Sequence, residues 1–487
     1  MPISDETELL SGFIPGASDD PGYSHELRTA PLFTRSAYIR SNLHSQVATL
    51  ERTTRQLKSA TKECILTPYD FRVSFRALAP HLHPQDAPLS AVVCGVQGSG
   101  KSHTVSILLE NMLIPNCIAT GKLVKPLSGL VFHFGETGAS AKPCEAAFLA
   151  SSSHEGIQAP PICVYVSPGC VRRMTRVYGA LDGDIRVEPL YFAEAELDAQ
   201  AFLSIMAVGS SDSAPLYMQS VMSLLRELGE DYTYASFMRR LEKLIEDMNP
   251  MQKASLKQRM ELLRVFTQTT SSVSSKPILY TMSKDRFAQG QITIIDLSDP
   301  FLDPPAACGI FEIILRIFDR ADVGTGKVLV VDEAHKYLSQ TRSSSGLTGA
   351  LLTVIREQRH RSMRVIVSTQ EPTILPPVFL SLCPIVIMHR FSSSSWWEHL
   401  SKHVAGDPSG SDIFDKVVQL QTGEALLLAP TGLGLMNIPW VVEDTTVKVE
   451  SPSLVKFGRR FLLLKTRKRV TNDGGVSMLV VDRIDCK

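Results

Sequence analysis

Short apolar runs recur along the chain, and stretches with helical periodicity separate them. Apolar runs between turn-forming residues are typical of buried strands, whereas apolar spacings of three and four indicate amphipathic helices. The runs predict strands over residues 89–94, 129–134, 161–166, 189–192, 291–296, 327–331, 364–368, 385–388 and 423–428. Strands that alternate with helices over roughly 350 residues predict an α/β fold, with a mostly parallel sheet between helices.

Helical patterns dominate the middle of the chain. Residues 193–275 contain three amphipathic patterns, which predict an inserted helical subdomain. Its basic residues are interleaved with acidic ones, which favours a solvated helix surface over a polyanion contact. The patterning predicts these segments in chain order: a disordered arm at 1–36, a helix and a Pro-rich linker at 37–88, the first part of the core at 89–192, a helical insertion at 193–275, the second part of the core at 276–450, and a basic tail with a hairpin signal at 451–487.

The composition narrows the class of protein. The chain has 487 residues with 50 basic and 50 acidic side chains, so bulk charge favours neither nucleic acid nor a membrane surface. No apolar run reaches about 18 residues, and the N-terminus lacks the apolar core of a signal peptide. We therefore expect a cytoplasmic or nuclear protein without a membrane span. The nine cysteines contain no C-x-x-C pair, which argues against zinc-finger spacing and suits a reducing compartment.

The C-terminal segment 451–487 carries nine basic and three acidic residues. Its densest basic cluster consists of Lys465, Arg467, Lys468 and Arg469. Clusters of this kind either act as localisation signals or occur by chance. Because the net charge is zero, contact with a polyanion would need a local patch of this kind.

Residues 95–102 (GVQGSGKS) fit the pattern G-x-x-x-x-G-K-[ST] of a phosphate-binding P-loop. The loop follows a predicted strand and precedes a predicted helix, the setting that this motif requires. Lys101 is expected to reach the β- and γ-phosphates of ATP, and the Ser102 hydroxyl to bind Mg²⁺. The alternative is a Gly-rich turn. The residues predicted to line the phosphate site are Gly95, Val96, Gln97, Gly98, Ser99, Gly100, Lys101, Ser102 and His103.

A second candidate site follows the strand at 327–331. Asp332 is predicted to hold Mg²⁺ through water, and Glu333 to polarise the attacking water as a general base. An acidic turn is the alternative, since strand ends are often acidic. Gln370 ends the next strand, where its amide would bond both the γ-phosphate and the attacking water, unless it belongs to an ordinary turn. His335 is predicted either to relay charge or to pack beside the acids.

Arginines cluster around the strand at 364–368. Phosphoryl transfer benefits from a cation on the γ-phosphate, often one from a neighbouring subunit. We expect one arginine to serve as such a finger, although each is individually more often a surface salt-bridge partner. The candidates are Arg356, Arg359, Arg361, Arg364 and Arg390.

Taken together, these motifs resemble those of HerA-like ATPases. GVQGSGKS, ITIIDLSDP, VLVVDEAHKYL, REQRHRSMRVIVSTQEPTILPP and IVIMHRF occur in the order seen in that family, which belongs to the HerA/FtsK branch of the additional-strand, RecA-like P-loop NTPases. FGE at 134–136 is similar to the family's Gly-Glu signature, and GEALLLAPTG at 423–432 to its terminal strand. The resemblance covers residues 88–450.

The resemblance implies a hexameric ring that hydrolyses ATP and moves double-stranded DNA through its pore, with a nuclease or another protein as partner. It assigns phosphate and Mg²⁺ binding to Lys101, Ser102 and Asp332. Catalysis falls to Glu333 as base, to Gln370 as sensor, and to Arg356 or Arg359 as the arginine on the nucleotide. The loop around Arg342 would lie near the pore.

The sequence departs from the family in three places. Residues 1–88 lack the alternating strands of the family's N-terminal β-barrel. No Lys or Arg occurs between Ala77 and Gly100, where some members place an arginine that acts across the subunit interface. The acid usual at the end of the second strand is replaced within Phe132-His133-Phe134. The alternative to a DNA motor is therefore a P-loop ATPase that drives protein assembly or acts as a nucleotide switch without DNA.

Overall fold

A computed structural model describes residues 88–115, 123, 125–138, 141–154, 156–206, 216–267, 286–338, 345–403, 411–439, 450–456, 458 and 461–474. The arm predicted at 1–36, nearly all of the segment predicted at 37–88, and the loop around Arg342 lie outside the described residues. The end of the predicted insertion (268–275) and residues 475–487 lie outside them as well.

A ten-stranded sheet forms the centre of the fold. Its strands are β1 (Ser90–Cys94), β2 (Ser128–His133), β3 (Ile162–Val166), β4 (Ile185–Pro189), β5 (Ile292–Asp296), β6 (Lys327–Val331), β7 (Met363–Thr369), β8 (Ile385–Met388), β9 (Glu424–Leu428) and β12 (Phe461–Lys465). Two further strands, β10 (Leu433–Pro439) and β11 (Glu450–Lys456), pair antiparallel in a sheet of their own.

The strand order is β12-β9-β8-β1-β7-β6-β2-β5-β3-β4. The eight strands from β8 to β4 run parallel, and β9 and β12 are antiparallel to their neighbours. β7 lies between β1 and β6, with Val92 opposite Val367 and Val331 opposite Val367 on the other side. A strand in this position is what the resemblance to additional-strand NTPases implies, and the predicted α/β fold class with a mostly parallel sheet is confirmed.

The central strands are buried on both faces, which explains why they appear in the sequence as continuous apolar runs. Every residue of β1, β2, β6 and β7 is buried. Side chains of one strand alternate between two hydrophobic clusters, one on each face. Val92 packs in one cluster and Val93 in the other.

Helices cover both faces of the sheet. Their bounds are α1 (Lys101–Leu113), α2 (Val171–Tyr178), α3 (Ala199–Met206), α4 (Leu216–Leu228), α5 (Tyr234–Glu246), α6 (Pro250–Val265), α7 (Pro304–Arg320), α8 (Ser345–Arg356), α9 (Pro377–Leu382), α10 (Ser394–His403) and α11 (Ser411–Gln419). Helices α1, α7 and α8 follow β1, β5 and β6 along the chain, in the alternation of strands and helices that the sequence predicts. None of the described helices combines the length and apolar character needed to cross a lipid bilayer.

Helices α3 to α6 lie within the range predicted as a helical insertion. Local capping sets their ends: Thr233 caps α5, and Asn249 caps α6 ahead of a proline at its first position. Phe202 of α3 meets Phe237 of α5 edge-on, with ring centroids 4.5 Å apart. The helices share one hydrophobic cluster with the sheet, so the insertion packs on the core directly.

Two segments differ from their predicted structure. The strand predicted at 189–192 lies earlier, at Ile185–Pro189, because β4 is an edge strand whose partly exposed residues weaken its apolar pattern. Phe192 makes only an isolated bridge to Thr267. In the segment predicted as a basic tail, β12 pairs with β9 in the main sheet. Residues 466–474, named here the C-terminal strap, then run back along α1.

Candidate active site

The loop between β1 and α1 requires glycine at three positions. Gly95, Gly98 and Gly100 have φ angles of 151°, 71° and 109°, in the region that residues with a side chain rarely adopt. A Cβ atom at Gly95 would lie 2.7 Å from the Cβ of His389. The backbone therefore curls tightly between strand and helix, as a phosphate-binding loop must.

The first turn of α1 presents its backbone N–H groups without a side-chain cap, because Gly100 occupies the N-cap position. Such a helix end favours an anion through its N–H groups and its dipole. Lys101 begins the helix and donates from Nζ to the carbonyl of Val96 at 3.0 Å. Burial lowers the pKa of Lys101, and the charges of Glu333 and Asp332 oppose that shift. The ammonium therefore lies within the field of both carboxylates.

The remaining residues of the predicted phosphate site continue the loop and the helix. Ser102 and His103 are partly exposed in the first turn of α1. His103 Nε2 hydrogen bonds with the carbonyl of Arg467 at 2.8 Å, and its Nδ1 lies 3.4 Å from Asp473. The residues exposed at the tip of the loop are Gln97 and Gly98.

His389 packs against the P-loop at Gly95 and helps to position it. The sequence did not indicate this role. Its ring hydrogen bonds with Thr104 Oγ1 at 2.9 Å and with the carbonyl of Glu424 at 3.1 Å. Burial lowers the pKa of His389 to about 4, so the ring is neutral at physiological pH. The motif IVIMHRF contains this residue, but only the sheet order shows that β8 lies beside β1.

The two acids after β6 lie at the same edge of the sheet as the P-loop. Glu333 has a φ of 50°, which is unusual for a residue with a side chain and costs about 1–3 kcal/mol. Its carboxylate accepts hydrogen bonds from Gln370 Nε2 at 2.8 and 3.1 Å. His335 Nε2 lies 3.4 Å away and Lys336 Nζ 3.8 Å away. Gln370 and His335 therefore hold the Glu333 carboxylate in a defined position.

Asp332 is more deeply enclosed than Glu333. Its N–H donates to the carbonyl of Phe132 at 3.0 Å, and its own carbonyl accepts from Tyr337 Oη at 2.9 Å. Its carboxylate lies 3.4 Å from His133 Nδ1. His133 ends β2, so an imidazole faces the aspartate there.

Two of the predicted arginines lie beyond the amino end of β7, on the side of the sheet opposite the P-loop. Arg356 ends α8 and Arg359 follows it, ahead of β7, whereas Gln370 comes directly after β7. β7 has 7 residues, and a rise of about 3.3 Å per residue makes it roughly 20 Å long. Within one chain, Arg356 and Arg359 are therefore not brought together with the P-loop.

The other predicted arginines have separate surroundings. Arg361 pairs with Asp319 and with Glu357, and Arg364 is buried within β7. Arg390 follows β8 at the P-loop edge, and its carbonyl accepts from the N–H of Val96 at 3.0 Å. Its side chain is exposed, so Arg390 is the predicted arginine that lies beside the P-loop in the same chain.

The C-terminal strap is fastened to α1 through Glu110, which is fully buried. Glu110 Oε1 accepts from the N–H of Val470 at 3.0 Å, and from the N–H and Oγ1 of Thr471 at 2.9 and 2.6 Å. Arg467 Nη1 lies 2.6 Å from Oε2, and Arg469 Nε lies 4.0 Å from Oε1. Two members of the predicted basic cluster are thus structural, which argues against their serving as a localisation signal.

Comparison with known proteins gives only distant similarities. No protein-family model and no curated protein matches the chain. Solved structures that are similar include the plasmid coupling protein TrwB in complex with the non-hydrolysable ATP analogue ADPNP (11% identity, 86% of this chain and 92% of that chain, TM-score 0.42). VirB4 of Thermoanaerobacter pseudethanolicus is also similar (12% identity, 71% and 88%, TM-score 0.39). So is the genome packaging NTPase B204 from Sulfolobus turreted icosahedral virus 2 in complex with ATP-gammaS (11% identity, 70% and 91%, TM-score 0.30). At these values the similarities carry no information about the chemistry of this site.

Proposed function

We propose that the chain is a Mg²⁺-dependent ATPase whose hydrolytic site lies at the carboxyl ends of β1, β7 and β6. The observation that carries the proposal is the position of Glu333. Its carboxylate is held by the Gln370 amide at 2.8 Å, on the edge of the sheet where the P-loop begins. Nucleotide binding alone does not require a carboxylate held in this way, whereas activation of a water molecule does.

The chain offers suitable groups for the phosphates of ATP and for Mg²⁺. The glycine loop and the uncapped first turn of α1 present N–H groups to the phosphates. Lys101 exchanges its bond to the Val96 carbonyl for phosphate oxygens, which adds positive charge where negative charge develops. Ser102 and Asp332 supply oxygen donors of the kind that Mg²⁺ prefers. When bound, Mg²⁺ neutralises phosphate charge in the transition state.

Glu333 then accepts a proton from the attacking water. The Gln370 amide donates to both carboxylate oxygens, which leaves other lone pairs of the carboxylate free to orient water. When a γ-phosphate is present, the same amide can donate to it. Gln370 would therefore report hydrolysis to β7 and to the segment that follows.

An oligomeric ring is part of the proposal. Arg356 and Arg359 lie roughly 20 Å from their own P-loop edge, at the opposite end of β7. A head-to-tail arrangement of copies would bring the far edge of one chain to the nucleotide of the next. Arg390 is the alternative finger, because it lies beside the P-loop of its own chain. The HerA/FtsK resemblance favours double-stranded DNA as the substrate of the ring.

A second candidate function is protein assembly or switching driven by ATP without DNA. The zero net charge favours it, since 50 basic residues balance 50 acidic ones. ATP turnover measured with and without duplex DNA at low salt distinguishes the two functions. A DNA motor predicts faster ATP turnover with DNA and binding that weakens steeply as salt rises. A mass measurement with ATP present tests the hexamer, and a monomeric mass would contradict the ring.

The nucleotide site itself is tested by Lys101→Ala. We expect the variant to lose ATP binding, measured by titration calorimetry, together with phosphate release. Lys125→Ala is the matched control, because Lys125 is exposed ahead of β2. It is expected to behave as the wild type. Equal ATP affinity in Lys101→Ala and the wild type would contradict the proposed site.

A further inference from the structure

An imidazole, a thiol and a carboxylate, all groups that bind metal ions, meet beside the proposed hydrolytic site. They are His133 at the end of β2, Cys144 ahead of the next helical turn, and Asp332 after β6. One ligand atom from each residue lies within 4.8 Å of the other two, and all three residues are buried. Nothing in the proposed hydrolytic mechanism requires a thiol at this position.

The separation of the His133 and Asp332 ligand atoms matches a compact tetrahedral site. Zinc binds nitrogen and oxygen at about 2.1 Å and thiolate sulfur at about 2.3 Å, so two ligands of one ion lie roughly 3.4–3.6 Å apart. The measured separation of His133 Nδ1 and Asp332 Oδ2 is 3.4 Å. The Cys144 sulfur lies within 4.8 Å of the other two ligand atoms. A shift of at most about 1 Å therefore brings it to the spacing of one ion, and a fourth position on that ion stays open.

Outer hydrogen bonds hold two of the three residues, Cys144 and Asp332, in place, as they do in metal sites generally. The N–H of Cys144 donates to Tyr178 Oη at 3.1 Å, and Tyr178 Oη in turn donates to Asp296 Oδ2 at 2.6 Å. Asp332 is held through its carbonyl by Tyr337 Oη at 2.9 Å. Both tyrosines are buried, so the cluster is surrounded by ordered groups.

We propose that His133, Cys144 and Asp332 bind a soft divalent cation of the Zn²⁺ type, and that this cation competes with Mg²⁺ for Asp332. A thiolate and an imidazole select zinc, whereas Mg²⁺ prefers carboxylate, carbonyl and water oxygens. Binding releases the Cys144 thiol proton to solvent and forms the sulfur–metal bond. The competition rests on the proposed function, in which Asp332 holds Mg²⁺. The site itself does not.

Cobalt spectroscopy tests the site without reference to ATP. Co²⁺ added to the full chain is expected to give the visible bands of tetrahedral cobalt and a thiolate-to-metal charge-transfer band. Cys144→Ser should lose the charge-transfer band. Cys383→Ser, the matched control, should retain it, since Cys383 is also buried but lies ahead of β8 at the opposite edge of the sheet. Absence of the band in the wild type, or its persistence in Cys144→Ser, would overturn the site.

Inhibition tests the competition. Zn²⁺ is expected to inhibit ATP turnover of the wild type, and a chelator to restore it. Loss of an outer hydrogen-bond partner lowers the metal affinity of a site by roughly 10–100-fold, and loss of a ligand should lower it by at least as much. Inhibition of Cys144→Ser should therefore need a correspondingly higher Zn²⁺ concentration. Equal inhibition of both proteins would overturn the competition. A wild type with the cobalt spectrum but no ATP turnover would contradict the proposed function and leave the metal site supported.

Discussion

The contact between Glu110 and the C-terminal strap gives the sharpest stability prediction. Glu110→Gln keeps the shape of the side chain and removes its charge, so Arg467 loses the carboxylate that lies 2.6 Å away. Removal of one partner from a buried ion pair costs about 3–5 kcal/mol, because the other charge is left uncompensated. Arg469 keeps Glu145 at 2.6 Å, so we expect the lower end, about 3 kcal/mol.

Equilibrium unfolding in urea measures this loss. A decrease of about 3 kcal/mol corresponds to roughly two orders of magnitude in the folding equilibrium. Limited proteolysis is a second measurement, and the strap should be cleaved sooner in the variant. The matched control is Glu398→Gln on α10, where the exposed carboxylate pairs with Lys402 at 2.6 Å. A surface pair of this kind contributes little, so its midpoint should not move.

Equal midpoints for Glu110→Gln and Glu398→Gln would contradict the predicted loss of stability, since the buried pair would then contribute no more than a surface pair. A double variant, Glu110→Gln with Arg467→Gln, separates charge from shape. If the uncompensated arginine causes the loss, removal of both charges should recover part of the stability. No recovery would assign the loss to the hydrogen bonds of Val470 and Thr471 instead.

Two further predictions concern the P-loop and its surroundings. Gly95→Ala should abolish ATP binding in calorimetry, because its Cβ would lie 2.7 Å from the Cβ of His389. Gly349→Ala is the control: position 349 lies in open space within α8, so the substitution should raise the free energy of unfolding by about 0.5–1 kcal/mol. Tight ATP binding by Gly95→Ala would contradict the loop geometry. The unfolded chain takes up a proton on His389 near pH 6.5 and the folded chain only near a pKa of about 4, so stability should fall by about 3 kcal/mol as pH decreases through this window. His389→Gln should reduce the change in the free energy of unfolding with pH between pH 6.5 and 4. An unchanged slope would contradict the burial of a neutral ring.

The sequence predicts those parts of the fold that depend on residues close together in the chain. β1, β6 and β7 each contain a run of apolar residues because helices cover both faces of the sheet, so their positions are visible in the sequence. The P-loop is visible because only glycine tolerates its backbone angles. Helix α2 was not predicted, because its eight residues include three arginines and bury only Met174 and Tyr178.

The parts that the sequence does not predict depend on contacts between distant residues. β12 and the strap carry basic residues that indicate a solvated tail, yet Glu110 lies 360 positions before Val470 and compensates their charge. His133 and His389 are ordinary histidines in the sequence. Their roles beside Asp332 and the P-loop become apparent only when the strand order is known.

The most direct test of the hydrolytic site is a comparison of Glu333→Gln with the wild type in ATP binding and in single-turnover phosphate release. The variant should bind Mg²⁺-ATP normally, because Lys101 and the glycine loop are unchanged. Its rate of phosphate release should fall by about 10² or more, as loss of a general base commonly causes. Phosphate release at the wild-type rate, with ATP bound equally well, would contradict the assignment of Glu333 and with it the proposed mechanism.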